Sequence, residues 1–478
     1  MSNPMRLHPA AVLENLIKNL KAFIQSFIGI SVIIVASPIR KEWILGVGAL
    51  IVFLYIIFAI LSWLRFSYEI YGDELRIEQG IFSRHKTYIP LERIQSISLS
   101  AGVVQRMFGL VKLEVQTAGG SSQAEASLAA ITKDQAQNLE ANLQVTRKNK
   151  PLNEESDSEP AEEKKLSTKQ LLIAASTSNG LGVILLGLMA VLSQVNQFIP
   201  DDDIYTLIGQ YLASYASEGI LIWIIGFSSL LLIAWIASII GTIISIGGFN
   251  LTRYSDRILV GRGLLEKRQI NIPVRRIQAV KIAEGILRQP FGLVTIHIVS
   301  VGHGDKSATD TLIFPLLPKR EAKNFLQTFL PEFEVETKFT PLSKAAKNRY
   351  RMILTIPALI ITLPLIIIFK YGFLALLLPL GAYCLGIKQY NDAGWQITDN
   401  QLTIRFRNLG LVTTSLKRQR IQSFQLQQNP LQKRKGLKAF NIQIASNIGG
   451  TTLSLKGINS EDGDQIMNWL LMPLHLFP

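Results

Sequence analysis

Apolar runs punctuate the chain in pairs. Six stand out, at residues 22–38, 43–64, 171–194, 219–247, 351–369 and 372–387. Each comes near the roughly 20 apolar residues that cross the hydrocarbon core of a bilayer. From Trp43 to Trp63 there is no charged residue, and on a helix that spacing sets two indoles one bilayer thickness apart, at the interfaces that indole prefers. The first and sixth runs are short, and pairing each with its neighbour predicts six spans in three hairpins. The joining loops are residues 36–42, residues 195–218 with Asp201, Asp202 and Asp203, and Lys370-Tyr371-Gly372. After each pair the period changes to that of strands. Tyr88 to Leu99 and Leu110 to Val115 run apolar or alternate with β-branched residues. Gly119-Gly120, Gly302 to Gly304 and Gly449-Gly450 mark hairpin turns. Helical patterns follow at Lys133 to Leu143, Pro318 to Leu330 and Asn459 to Leu471.

These β-rich stretches are copies of one another. Asp73-Glu74-Leu75, Gly80, Ile89-Pro90, Arg93-Ile94-Gln95, Gly102 and Phe108-Gly109-Leu110 recur 183 positions later. There they read Asp256-Arg257-Ile258, Gly263, Ile272-Pro273, Arg276-Ile277-Gln278, Gly285 and Phe291-Gly292-Leu293. A third copy follows the sixth run at an offset of 327, through Asn400-Gln401-Leu402, Arg420-Ile421-Gln422 and Gly436-Leu437. It lacks the Pro and the Phe. Three ungapped matches signal a repeat architecture. The expected architecture is α-helical membrane spans plus three β-rich modules. Its pieces are a hairpin at 1–65, a module at 66–145, a linker at 146–168, a hairpin at 169–249, a module at 250–335, a hairpin at 336–389 and a module at 390–478. The linker, rich in Glu, Ser, Asn and Pro, reads as disordered.

Two hydrophobic segments followed by a β-module containing IPLERIQSI and FGLVKLEVQTAGG resemble the bacterial membrane-flanked domain family, and in particular its YdbT-type multi-copy members. The resemblance covers nearly the whole chain. It implies that each module is a small bent β-barrel of seven strands with a C-terminal helix, a pleckstrin-homology-like (PH-like) fold. It implies no established enzymatic activity. Phosphoinositide binding by eukaryotic relatives of the fold is an analogy of fold alone.

Charge sets orientation and excludes classes. The 478 residues carry a formal net charge of +14. Such an excess points to nucleic acid or to an anionic membrane surface, and the apolar runs favour the membrane. The joining loops hold only Arg40, Lys41 and Lys370. The opposite flanks carry Lys18, Lys21, Arg65, Lys164, Lys165, Lys169, Arg253, Lys344, Lys347, Arg349, Arg351 and Lys388. By the positive-inside rule the termini and modules are cytoplasmic, in a bacterial inner membrane, with Arg40 and Lys41 as the dissenting pair. The span interiors hold almost no ionisable residue, which argues against an ion-coupled transporter. Pro357 and Pro364 read as tolerated kinks. One cysteine, Cys384, and five scattered histidines leave no disulfide, no cysteine-based zinc site and no metal cluster to expect. Walker, HExxH, GxSxG and CxxC motifs are missing from the chain, so neither a cofactor nor catalysis is expected.

Three groups of residues are candidates for contact with lipid or a protein partner. The first is Arg93, Arg276 and Arg420 of the repeated Arg-Ile-Gln triplet. If residues 89–99 form one regular strand, Arg93 and Gln95 interrupt its apolar face. An anion or head-group site is one reading. The favoured one is a structural arginine on backbone carbonyls, or a bulge that turns it to solvent. The second is the segment Gly102 to Phe108 with Arg106, its counterpart Gly285 to Phe291 with Arg288, and Asn429 to Lys435 with Lys433, Arg434 and Lys435. Phe108 and Phe291 are expected in the core, whereas the three basic residues of copy three are expected at the surface. The third group is the basic runs Arg84-His85-Lys86, Lys267-Arg268, Arg275-Arg276 and Lys417-Arg418, read as solvated faces. No nucleic-acid motif accompanies them. These residues predict a non-enzymatic membrane scaffold that binds a protein partner or itself, with membrane lipid as a secondary contact. The alternative is lipid or amphiphile handling.

Overall fold

A computed structural model describes residues 5–14, 16, 41–117, 126–136, 138–139, 161–178, 182, 184, 186–187, 220–301, 310–334, 338–368, 372–398, 400–446 and 450–472. The chain divides into two compact units. One comprises residues 1–157, 166–250 and 261–270, and the other 158–165, 251–260 and 271–478.

In the first unit the run without charges from Trp43 onward forms helix α1 (Lys41–Leu64). Alternating residues then build β1 (Ser67–Tyr71), β2 (Glu74–Gln79) and β3 (His85–Pro90), an antiparallel meander. At Pro90 the chain turns through a 3-10 segment, Leu91–Arg93. β4 (Ile94–Ala101), the short helix α2 (Val103–Met107), β5 (Leu110–Thr117) and β6 (Ala126–Thr132) follow, with β4, β5 and β6 paired antiparallel. The strand expected from 89 to 99 is therefore broken. The 3-10 turn and a register shift between Ile94 and Ser96 leave Arg93 exposed, the bulged alternative of the sequence reading. Tyr68, Leu75, Ile89, Leu113 and Leu128 are fully enclosed at the centre of this core, with Leu7 and Ala11 from the N-terminal segment packed on it.

Strand β7 (Glu162–Lys165) corrects the expectation of disorder at those four residues. They hold because Ala161 donates to the carbonyl of Arg253 and the Lys164 amine lies 5.5 Å from the ring centres of both Phe314 and Phe325. Residues 146–160 lie outside the described residues. Helix α3 (Thr168–Ser176) starts at a reciprocal Ser167–Gln170 capping box, and α4 (Ile220–Ile246) is the long apolar helix before the second module.

The second module repeats the first: β8 (Asn250–Arg253), β9 (Arg257–Arg262), β10 (Lys267–Pro273), a 3-10 turn at Val274–Arg276, β11 (Ile277–Glu284), β12 (Leu293–Ser300), β13 (Thr311–Pro318) and helix α5 (Ala322–Phe329). A two-residue strand β14 (Thr340–Pro341), the helices α6 (Lys347–Ile368) and α7 (Leu377–Asp392), and the third module follow. That module holds β15 (Gly394–Thr398), β16 (Gln401–Arg407), β17 (Leu411–Lys417), β18 (Ile421–Gln427), helix α8 (Pro430–Arg434), β19 (Leu437–Ile444), β20 (Thr451–Asn459) and α9 (Ser460–Leu471). Asn459 caps α9 through its side chain.

Among the described residues three helical stretches, not six, are long and apolar enough to cross a membrane: Ile225–Ile246, Lys344–Ile368 and Gly372–Asp392. Ala49–Leu64 of α1 is a shorter apolar stretch. The run at 22–38 and most of 179–194 lie outside the described residues, as do the Asp201–Asp203 cluster and the Gly119-Gly120 and Gly302–Gly304 turns. Pro357 and Pro364 both sit inside α6, which continues through them.

Each module is built of two three-stranded meanders, and the meanders do not close on themselves. In the first unit Lys267, Arg268 and Gln269 of β10 pair antiparallel with Ala101, Ser100 and Leu99 of β4. In the second unit β11 pairs with β17, so that one sheet runs β13-β12-β11-β17-β16-β15-β14. The registers agree. Ala101 opposite Lys267 corresponds, by the 183 and 144 offsets between copies, to Glu284 opposite Leu411, which is the pair observed. The self-contained barrel implied by the family resemblance gives way to modules joined edge to edge. Strands β18, β19 and β20 form a separate three-stranded sheet, packed over Leu402, Phe440, Ile442 and Trp469.

Two glycines make the β2–β3 and β9–β10 turns possible. Gly80 and Gly263 hold φ of +115° and +103°, and a Cβ at either would lie 1.9 and 2.1 Å from the carbonyl oxygens of Ser83 and Glu266. Replacing Gly263 by Ala should cost at least about 1 kcal/mol. The expected result is a lower thermal unfolding midpoint in detergent than for the same change at Gly381, which has open space around it.

Candidate membrane-contact surface

The turn between the second and third strand of every module is tied to the end of the helix that precedes it. In module one the Arg65 guanidinium, just past α1, donates to the carbonyl of Ile81 at 2.8 Å. In module two the amides of Gly263 and Leu264 donate to the carbonyls of Gly247 and Ile244 at the end of α4, each at 2.9 Å. Gly247 must be glycine there, because a Cβ would lie 2.4 Å from Cγ of Leu264. In module three the Gln389 side chain in the last turn of α7 donates to the carbonyl of Asn408 at 3.0 Å. An apolar side chain stands out from each turn. Phe82 is 94% exposed, and Leu265 and Leu409 are more than half exposed. These three share one position, at the offsets 183 and 327. In the sequence the position is legible only through the repeat offsets, because the residue type changes from Phe to Leu.

The connection between the fourth and fifth strand forms a second set of tips. Its centre is a buried polar residue at one repeat position: Gln105, Arg288 or Gln432. Gln105 donates to the carboxylate of Glu14. Gln432 accepts from the Asn429 amide and closes a capping box. The connection is a five-residue helix in modules one and three and a 3-10 turn at Gln289–Phe291 in module two, and burying this side chain on so short a piece turns its flanks outward. Val103, Met107 and Phe108 are exposed, as are Ile286, Leu287 and Phe291, and Leu431 together with Lys433, Arg434 and Lys435. Phe108 and Phe291 are thus corrected from core to surface, at 52% and 72% exposure. The His8 ring lies against Phe108, with ring centres 5.9 Å apart. Arg288 is corrected in the opposite sense. It is buried, donates to Thr295 Oγ1 and, at 2.9 Å, to the carbonyl of Pro315, and burial pushes its guanidinium below the usual arginine range.

The two sets of tips meet within each unit. In the first, the Arg106 guanidinium donates to the carbonyl of Leu264. In the second, Arg407 donates to Gln289 Oε1 at 3.0 Å and to the carbonyl of Leu409 at 3.3 Å. Arg407 stands where copies one and two have their positive-φ glycine. It extends β16 by a residue and is held by the Asp392 carboxylate at the end of α7. Apolar side chains rimmed by cations beside a helix end are the pattern of a membrane interface.

A cleft of about 260 Å³ lies near the ends of α6 and α7, lined by Arg349, Tyr350, Gln389, Arg407 and Lys456 among others. Tyr350 donates to the carbonyl of Lys456 at 2.7 Å. Arg349 Nη1 is buried and has no hydrogen-bond partner among the described residues. These cations come from distant parts of the chain, and no linear pattern announces them.

The remaining candidates divide. Arg276 and Arg420 come together, since Arg420 donates to the carbonyl of Arg275 at 2.6 Å. Burial, then the neighbouring charges of Arg275 and Arg420, push Arg276 below the usual range. Arg93 is exposed and apart. Arg84, His85, Lys86, Lys267 and Arg268 are exposed as expected. Arg418 is not. It is buried, takes the position of Leu91 and Val274, and donates to the carbonyls of Leu470 and Met472 at the end of α9.

Membrane helices alternating with two-sheet modules whose tips sit at the helix ends define a membrane-anchored protein of PH-like repeats. The chain belongs to the Bacterial PH domain family, whose model matches residues 20–146, 203–332 and 353–473. Along almost its full length it is similar to the UPF0699 transmembrane protein YdbT of Bacillus subtilis (strain 168), with 34% identity over 489 aligned residues and 98% of each chain covered. This is a transmembrane protein with PH domains.

Tryptophan placed at Phe291 should be quenched by lipids brominated near the glycerol backbone when the full chain is reconstituted in bilayers. Tryptophan at the exposed Asn324 on α5 should be quenched at least about fivefold less, if the tips of the connection meet the membrane.

Proposed function

We propose that this protein is a non-enzymatic scaffold of a bacterial cytoplasmic membrane, with its termini and PH-like modules on the cytoplasmic side. The modules assemble protein partners, and their tips contact anionic lipid. The observation that carries this reading is the repeated placement of exposed apolar tips and cations beside the ends of the apolar helices. The basic excess on the module side of the helices supports the orientation. Three modules on one membrane anchor raise the effective concentration of whatever they bind. Lys433, Arg434 and Lys435 each add about 1 kcal/mol of attraction to an acidic leaflet, which makes the third copy the most lipid-seeking.

Crosslinking in native membranes followed by mild-detergent purification should retain a protein partner or a second copy. A strictly monomeric chain with nothing retained would count against the scaffold. The cleft of Arg349, Arg407 and Lys456 favours an anionic head group. Arg349→Gln should lower the amount of acidic phospholipid carried through purification by about threefold while leaving zwitterionic lipid unchanged, as read by mass spectrometry of extracted lipid.

A further inference from the structure

The two module junctions share a rule that the chain leaves unfinished. β4 of the first module takes up β10, the third strand of the second module. β11, the counterpart of β4, takes up β17, the third strand of the third module. The registers agree residue for residue under the repeat offsets. β18 is the next counterpart of β4, starting at Ile421, 327 residues after Ile94. It pairs with β19 on one side and stands at the edge of its sheet on the other. β3 is the counterpart of β10 and β17. It pairs with β2 and stands at the edge of its own sheet. Among the described residues there is therefore one open edge of each kind that the two junctions join.

We propose that β18 of one copy pairs antiparallel with β3 of a second copy, in the register of the two internal junctions. The proposal rests on the scaffold reading and names its partner. Carrying the register across sets Gln428 opposite Arg84, Gln427 opposite His85, Leu426 opposite Lys86, Gln425 opposite Thr87 and Phe424 opposite Tyr88. An open edge offers unsatisfied N–H and C=O groups that another strand can take up. β18 (IQSFQLQ) carries no charge and no proline, the usual guards of an edge. β3 begins with basic residues, but so does β10, whose exposed Lys267 and Arg268 pair with β4 nonetheless. Lys86 is in addition neutralised by Glu78 at 2.6 Å. Tyr88 is an exposed aromatic side chain on this edge. Opposite it, Phe424 makes a cross-strand aromatic pair. The tips agree as well. Those of the first two connections reach the turn of the following module through Arg106–Leu264 and Gln289–Arg407. The tip at Leu431 and the turn at Phe82 are, by the repeat offsets, the counterparts of the partners in those two contacts. The contact joins two different edges, so it repeats head to tail, as a closed ring or an open row along the membrane.

The test uses the full chain in native membranes with Cys384→Ser. Gln427→Cys is placed on a chain with one tag and His85→Cys on a chain with another, both at exposed positions. Directly paired strand residues lie within disulfide reach. Mild oxidation should give a species of twice the mass carrying both tags. The same Gln427→Cys against Thr87→Cys, two residues out of register, should give about tenfold less, the loss expected for a mismatch near 1.4 kcal/mol. Absence of the mixed species, or equal yield from both registers, overturns the pairing. So does a chain carrying both cysteines that closes only on itself. If a different protein is retained while no mixed species forms, the scaffold stands and this assignment of its partner falls. If nothing is retained and nothing crosslinks, both fall.

Discussion

A sheet edge is a row of backbone donors and acceptors that water satisfies poorly once the strand is half buried, and covering such edges organises this chain. A module of two three-stranded meanders has edges to spare. The solution seen twice is to lend the third strand of one module to the fourth strand of the module before it, at a constant register. Register in a β-pair follows from which face is apolar, because a slip of one residue exchanges the faces. Because the copies share one pattern of faces, a register that serves one junction serves the next.

The surface beside the helix ends depends on the same repetition. Once the third strand is placed, the turn before it falls against the last turn of the preceding apolar helix, and the short connection after the fourth strand falls beside the turn of the following module. One buried polar side chain per connection then decides which neighbours face out. Its identity differs, as Gln105, Arg288 and Gln432, while its task does not. In the third copy, Arg407 replaces a turn glycine and Arg418 replaces a core leucine. Arg407 is held by the Asp392 carboxylate, and Arg418 donates from Nη2 to helix-end carbonyls. The loss of Pro and Phe from that copy therefore accompanies a rebuilt set of contacts around the same strand plan.

Much of this was legible in the sequence. The ungapped offsets located the strands, because strands β4, β11 and β18 begin at the residues that the offsets name. What misled was the assumption that a β-rich run is one straight strand. Residues 91–93 form a 3-10 turn after which the strand resumes with a bulge, and the third copy makes the same turn at Arg418–Arg420 with no proline before it. Phe108 and Phe291 misled for another reason. A large apolar residue is usually buried, but on so short a connection the buried polar neighbour decides which way it faces, and a linear pattern does not show that.

By itself the sequence determined the repeat, the alternation of apolar helices with β-rich modules and the positive balance on one side of them. These are properties of periodicity and composition, and a linear string carries them in full. Only the tertiary structure decided that the modules join by their edges and that Arg288 and Arg418 are buried supports rather than surface cations. It also brought Arg349, Arg407 and Lys456 to one cleft. The physical reason is that strand pairing and ion placement depend on contacts between residues far apart in the chain, such as Lys267 with Ala101 or Arg407 with Gln289. Which of many compatible partners each group takes is settled by the packing of the whole chain rather than by its neighbours.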